Sequence, residues 1–244
     1  MSVAAVFLAA LLTALATGLG AVPLLLGRRI EGHWVGLATA VAAGFMVGAS
    51  VGLFWEGGGT SIGRTFLGAI LGAGFILVTR GLLGHHKHVE FGALRGADAL
   101  GALMIVGVMT LHSFTEGIGV GVSFGDGAAL GALIAIAIAV HNIPEGLAIS
   151  LVLVPRGVSV RRAAGWSVFS SLPQPLMAVP AYLLVEWFEP VLPVGLGFAA
   201  GAMLWMVAAQ LVPDALRTSK PLPTAGALVV AAGAMIGLQV VLLG

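Results

Sequence analysis

Long apolar runs separated by short polar breaks fill this chain from end to end. Eight are legible, at roughly 2–26, 34–54, 62–83, 97–123, 128–154, 162–185, 191–212 and 224–243. As helices they match the ~30 Å hydrocarbon layer, which takes about 20 residues to cross. The runs are continuous rather than alternating, which favours helices over the strands of a barrel. Turn residues mark the breaks, as in Gly57-Gly58-Gly59, Gly125-Asp126-Gly127 and Pro221-Leu222-Pro223. The pattern predicts an all-α membrane protein of eight transmembrane helices, forming one domain over residues 1–244. Pro144, Pro173, Pro175 and Pro180 fall inside the fifth and sixth runs. They predict helices broken at mid-depth, with freed carbonyls lining a polar path.

Loop charge orients the runs. The odd-numbered loops hold Arg28, Arg29, Arg80, Lys87, Arg95, Arg156, Arg161, Arg162, Arg217 and Lys220. The even-numbered loops hold Arg64 with Glu56, Asp126, Glu186 and Glu189. Ten of the eleven basic residues therefore share one side, which the positive-inside rule makes cytoplasmic. Both termini are then extracytoplasmic, in the plasma membrane (the inner membrane of a bacterium). No basic segment or cleavage site precedes the first run, so it is expected to stay as a helix rather than leave as a signal peptide.

Composition agrees. Hydrophobic residues make up 59% and charged residues 9%, against about 25% charged in a soluble domain, and mean hydropathy is +1.10. The 37 glycines suit close helix contacts in lipid and permit a homodimer without requiring one. With 244 residues there is no room for a separate soluble domain. The absence of cysteine excludes disulfides and thiolate metal sites, and a net charge of +1 points to no nucleic-acid partner. The expected partners are the lipid bilayer and an ion.

Two phrases carry the chemistry. His112-Ser113-Phe114-Thr115-Glu116-Gly117 lies in the fourth run, and His141-Asn142-Ile143-Pro144-Glu145-Gly146 lies 29 positions later in the fifth. Each sets His and Glu four residues apart, on one helix face one turn apart. A carboxylate in hydrocarbon costs roughly 2.5–3.5 kcal/mol on insertion scales, so two of them need a reason. A divalent cation held by His112, Glu116, His141 and Glu145, between the fourth and fifth helices, supplies it. Two imidazoles and two carboxylates make a four-coordinate set suited to zinc and its first-row neighbours, and not to Mg²⁺ or Ca²⁺ as preferred ions. Pro144 removes a backbone donor and frees the carbonyl of Val140. Gly117 and Gly146 follow the glutamates and are expected to let these two helices close on a shared ion. The alternative is a buried His–Glu packing pair, which two near-identical phrases on adjacent helices disfavour.

The paired phrases resemble the signature of the ZIP (Zrt-/Irt-like) metal transporters, especially the short bacterial branch. In that family the fourth helix carries His-Asn/Ser-x-x-Glu-Gly and the fifth His/Gln-Asn/Asp-x-Pro-Glu-Gly. The resemblance extends to eight spans, outward termini and a histidine-bearing loop after the third helix. It implies uptake of Zn²⁺, and often of Fe²⁺, Mn²⁺, Co²⁺ or Cd²⁺, into the cytoplasm, with the ion as substrate and a first metal position at His112, Glu116, His141 and Glu145. A second position is implied at Ser113, Asn142, Glu116, Glu145 and Gln174. The family usually has Glu where this chain has Gln174, so that position lacks an acid of its own and repulsion between two dications is poorly offset. One tightly held ion is expected, with the second position weak or a polar relay. On the seventh helix, Gln210-Leu211-Val212-Pro213-Asp214-Ala215 resembles the family's Glu-x-x-Pro-Glu-Ala exit stretch, with Gln210 replacing the first acid. Met46 and Ser50 on the second helix are implied to line the entrance.

His85, His86 and His88, with Lys87 and Glu90, form a cytoplasmic loop of about 84–96 that can collect metal weakly. The rival to transport is an intramembrane zinc-dependent hydrolase, since a zinc-bound water is conceivable here. Against it, the chain has no His-Glu-x-x-His pattern. Transport by alternating exposure is the expected function, and an enzyme is not.

Overall fold

The computed structural model describes residues 1–25, 32–83, 90–91, 94–95 and 97–243, and the side chains among them apart from 80–105, 108, 242 and 243. Helix α1 (Val3–Leu19) starts at Ser2, whose hydroxyl accepts from the Ala5 amide at 3.3 Å, an N-cap that satisfies one of the orphan donors of the first turn. A short α2 (Val22–Leu25) follows. Helix α3 (Gly32–Leu83) is two helices joined at Ser61, where the backbone is extended (φ −162°, ψ 99°). Strands β1 (Glu90–Phe91) and β2 (Leu94–Arg95) pair antiparallel. Then come α4 (Ala97–Asp126), α5 (Ala128–Leu153), α6 (Val160–Ser171), α7 (Pro173–Trp187), α8 (Leu192–Met206), α9 (Val212–Thr218) and α10 (Pro221–Leu243). Apart from that two-residue ladder, the described elements are helical, as the apolar pattern demands.

Among the described residues six stretches are long and apolar enough to cross a membrane: Val3–Leu25, Gly32–Thr79, Ala128–Arg156, Val160–Trp187, Glu189–Thr218 and Pro221–Val241. Their outward surfaces carry Ile62, Ile70, Leu222, Val230 and Val241, all more than half exposed, which suits hydrocarbon rather than water.

Proline acts differently from expectation. Helix α5 runs unbroken through Pro144 and α7 through Pro180. The sixth run changes helix only at Leu172, just before Pro173, which sits at the first position of α7 where its missing N–H is no loss. The marked distortion lies elsewhere: Val207–Leu211, between α8 and α9, winds as a single π-helical turn. Pro213 follows and brings no N–H to the ladder.

Close packing of the bundle comes from backbone meeting backbone. Helix α3 packs chiefly on α8 and α10, while α1 packs on α5 and α7, and α4 on α7 and α5. At the α3–α8 contact two Gly-xxx-Gly pairs interlock. Gly68 and Gly72 lie against the carbonyls of Val194 and Phe198, and Gly197 and Gly201 lie against those of Thr65 and Ala69. A methyl group at any of the four would overlap main chain. Lipid tails are as apolar as leucine, so burial alone does not hold helices together in a membrane and such close approach must do so. The fully buried Leu53, Ile134, Ile138, Leu196 and Met203 fill the centre between α3, α5 and α8.

Replacing Gly72 or Gly201 by Leu is expected to destabilise the protein by about 1–3 kcal/mol through overpacking, read as a lower thermal midpoint in detergent. Gly74→Ala, where nothing lies within 4 Å of the added carbon, is the control and should leave the midpoint unchanged or slightly raised.

Candidate metal centre

Helices α4 and α5 form a hairpin around one residue. Gly127 joins them with φ 156° and ψ 160°, a conformation open essentially to glycine alone. His112 lies 15 residues before Gly127 and His141 lies 14 after it. At 1.5 Å per residue both are about 22 Å from the turn, so the two His-xxx-Glu phrases reach the same depth on facing helices.

All four side chains are buried: His112 is 2% exposed, Glu116 0%, His141 2% and Glu145 6%. One ligand atom from each can be chosen so that all lie within 4.8 Å of one another. The His112 Nε2 is 3.1 Å from Glu116 Oε1, and the His141 Nε2 approaches that same oxygen still more closely. Glu145 Oε2 is 4.0 Å from His141 Nε2. Yet Glu116 Oε1, His141 Nε2 and both Glu145 oxygens have no hydrogen-bond partner among the described residues. Nor does any described Lys or Arg lie within ion-pair distance of either carboxylate. Four N and O donors thus converge with no described lysine or arginine beside them. A dication would suit that set: tetrahedral bonds of about 2.0–2.2 Å hold their ligand atoms about 3.4 Å apart, so the imidazole nitrogens would part slightly from Glu116 Oε1 while Glu145 closes in.

Beside the four ligands is a cavity of about 20 Å³, room for roughly one water-sized sphere. Met46, Met109 and Met206 line it along with His112, His141 and Glu145. Met109 and Met206 were not singled out by sequence, because a methionine in an apolar helix carries no signal distinguishing a wall from packing. Ser50 is buried and donates to the Met46 carbonyl at 2.8 Å, so its hydroxyl is satisfied within its own helix. Gln210 is buried in the π-helical turn, with its Oε1 unpartnered among the described residues, next to the cavity-lining Leu211. Asp214 stands apart at the surface: its side chain is 45% exposed and lies 3.3 Å from Arg217.

A family model described as ZIP zinc transporter matches residues 79–242, a stretch that includes both phrases. The chain belongs to the ZIP zinc transporter family. The zinc transporter GufA of Myxococcus xanthus is 35% identical over 227 residues, covering 86% of this chain and 87% of that protein. A candidate zinc transporter of Arabidopsis thaliana is 46% identical over 242 residues, 98% of this chain. This chain spans only 39% of that plant protein's length. Human zinc transporter ZIP11 is 36% identical over 127 residues, 47% of this chain and 35% of the human protein.

Within this ZIP chain, the Gln174 position lies against Glu116, and Asn142 lies against Gln174. Gln174 is fully buried and donates from Nε2 to Glu116 Oε2 at 2.6 Å. Asn142 Nδ2 donates to Gln174 Oε1 at 3.2 Å and to the Thr13 carbonyl at 2.8 Å. Ser113 Oγ and Asn142 Oδ1 are buried without a partner among the described residues. Thr13, on α1, was missed by sequence reading; nothing local marks it, since its role arises from a helix 161 residues away.

The signature glycines serve other contacts than expected. Gly117 faces α7, where a Cβ would lie 2.5 Å from the Gln174 carbonyl oxygen and 2.8 Å from its Cα. Gly146 faces α1, where a Cβ would overlap the Thr17 carbonyl. They do not bring α4 and α5 together. Each ligand-bearing helix instead turns its carboxylate to the shared cage and its glycine to a supporting helix. The histidines His85, His86 and His88 lie outside the described residues.

Gly117→Ala is expected to push Gln174 off Glu116 and lower zinc uptake by about 10-fold, the scale of losing an outer-shell partner. Flux measured in proteoliposomes at matched protein content checks this.

Proposed function

We propose that this protein is a divalent-metal transporter with zinc as its preferred substrate, moving the ion into the cytoplasm through the buried His112, Glu116, His141 and Glu145 cage. One observation carries the reading: two carboxylates and two imidazoles converge inside an apolar bundle, with no fixed counter-charge among the described residues. Fe²⁺, Mn²⁺, Co²⁺ and Cd²⁺ are compatible with the same donor set. The Gln174 position is neutral, so a second ion beside the first binds weakly.

The proposed topology has eight spans, with α3 counted as two, both termini outside and residues 1–244 acting as one domain in the plasma membrane. The ten basic residues on one side of that topology support it.

The cavity supports release toward the basic side. Thr39 and Ala42 lie near the start of α3, Met109 precedes His112 on α4, and Ala148 follows Glu145 on α5. All four lie from the cage toward helix ends that join basic loops. On the other side Leu53, Ile134, Ile138 and Leu196 pack without exposure above 0%, closing that route. Alternating access then requires the α1, α4, α5, α6 and α7 group to move against the group of α3, α8 and α10, a division that the packing favours. Met46 and Gln210 belong to the path on the cavity side. Asp214, paired with Arg217, belongs to the solvated exit.

Hydrolysis gains no support. ZIP proteins are transporters, and a cavity of about 20 Å³ is far below the roughly 300 Å³ or more of a substrate pocket.

Zinc uptake by the purified protein in liposomes is expected to fall to the protein-free background in Glu116→Ala and in Glu145→Ala, since either change leaves the remaining buried ligands short of charge and donors. Wild-type uptake in both variants would remove the cage from the path.

A further inference from the structure

Glu116 is held from behind by Gln174, and what holds Gln174 reaches back to α1. Its Oε1 faces His112 and His141, while its Oε2 accepts from Gln174 Nε2 at 2.6 Å. The amide of Gln174 is fixed in that sense by its other end. Oε1 lies 2.6 Å from the Thr13 hydroxyl, which also lies 2.7 Å from the Ala10 carbonyl, and it accepts from Asn142 Nδ2. Asn142 Nδ2 is itself anchored on the Thr13 carbonyl. Turning the Gln174 amide over would set its oxygen against a carboxylate that only accepts, and its NH₂ against the NH₂ of Asn142. Glu116, Gln174 and Asn142 are at 0% exposure and Thr13 at 1%, so water cannot relieve either mismatch.

We propose that Thr13 is a positioning residue for the metal centre: by locking the Gln174 amide it ties up Glu116 Oε2, makes Glu116 a one-oxygen ligand, and limits the cage to a single dication. This rests on the cage being the transit site for zinc. Bridging two ions would need Oε2 free, and here a neutral N–H donor occupies it. Thr13 touches no ligand atom, so its effect on the ion passes entirely through Gln174 and Asn142.

The test uses the full-length protein with zinc alone, counting zinc per chain by atomic emission in detergent and measuring uptake in liposomes. Thr13→Val, which keeps the shape and removes the hydroxyl, is expected to raise the zinc KM about 10-fold, as loss of an outer-shell partner does. Thr13→Ser should restore it to within about threefold, a recovery that packing alone does not produce because Ser loses the methyl group and keeps only the hydroxyl. Gln174→Glu should raise bound zinc from one to two per chain. A wild-type KM in Thr13→Val, a Thr13→Ser variant as impaired as the valine, a wild-type protein holding two zinc ions, or one zinc in Gln174→Glu would each overturn the assignment. Should Thr13→Val fail to fold, the serine variant and the Gln174→Glu stoichiometry still decide it. If the wild type neither binds nor moves zinc, the transport reading itself falls; if it does both and the Thr13 variants are unchanged, only the positioning role falls.

Discussion

Two carboxylates buried in an apolar bundle, with no described lysine or arginine to pair with either, set the terms for the rest of this fold. Glu116 and Glu145 each forgo hydration worth several kcal/mol, and the structure answers with two imidazoles, an amide donor and a space shaped for an ion. A hydrophobic repacking of the same volume would cost less, and a visiting cation is the reason proposed for keeping the charges. The same cost weighs against further acids around the two already there. Each extra acid would have to be offset, and at Gln174 and Gln210 this chain has neutral amides instead.

Precision at that depth depends on helices that touch through their backbones. The α4–α5 hairpin turns on a single glycine, which brings His112 and His141 level. Gly117 and Gly146 then admit α7 and α1 to the backs of the ligand helices. This places Gln174 against Glu116, and Thr13 behind it against Gln174 and Asn142. On the other side of the molecule, the Gly-xxx-Gly contacts of α3 with α8 make a second tight unit. Between the two units lie the cavity and the three methionines, adaptable side chains suited to a surface that must slide.

Much of this was legible in the amino-acid order. The spacing of the apolar runs foretold an apolar helical bundle. The His-xxx-Glu repeat foretold which four side chains converge, because an i, i+4 pair shares a face whatever the tertiary context. The equal distances from Gly127 were also there to be read. What stayed hidden was set by neighbours distant in sequence. Gly117 and Gly146 looked like spacers between their own two helices because their partners, Gln174 and Thr17, are far along the chain. Pro144 and Pro180 looked like breaks, but α5 and α7 continue through them, while the π-helical turn sits just before Pro213. Thr13 gave no sign because a hydroxyl in an apolar helix usually bonds only to its own backbone.

The central claim is that a dication pauses on two imidazoles and two carboxylates. X-ray absorption at the zinc edge on the loaded, purified protein tests it most directly. The account predicts a first shell of about four nitrogen and oxygen atoms at about 2.0–2.1 Å, with the outer-shell signature of two imidazoles. A shell containing sulfur at about 2.3 Å, from the methionines that line the cavity, or one without imidazole scattering, would contradict it.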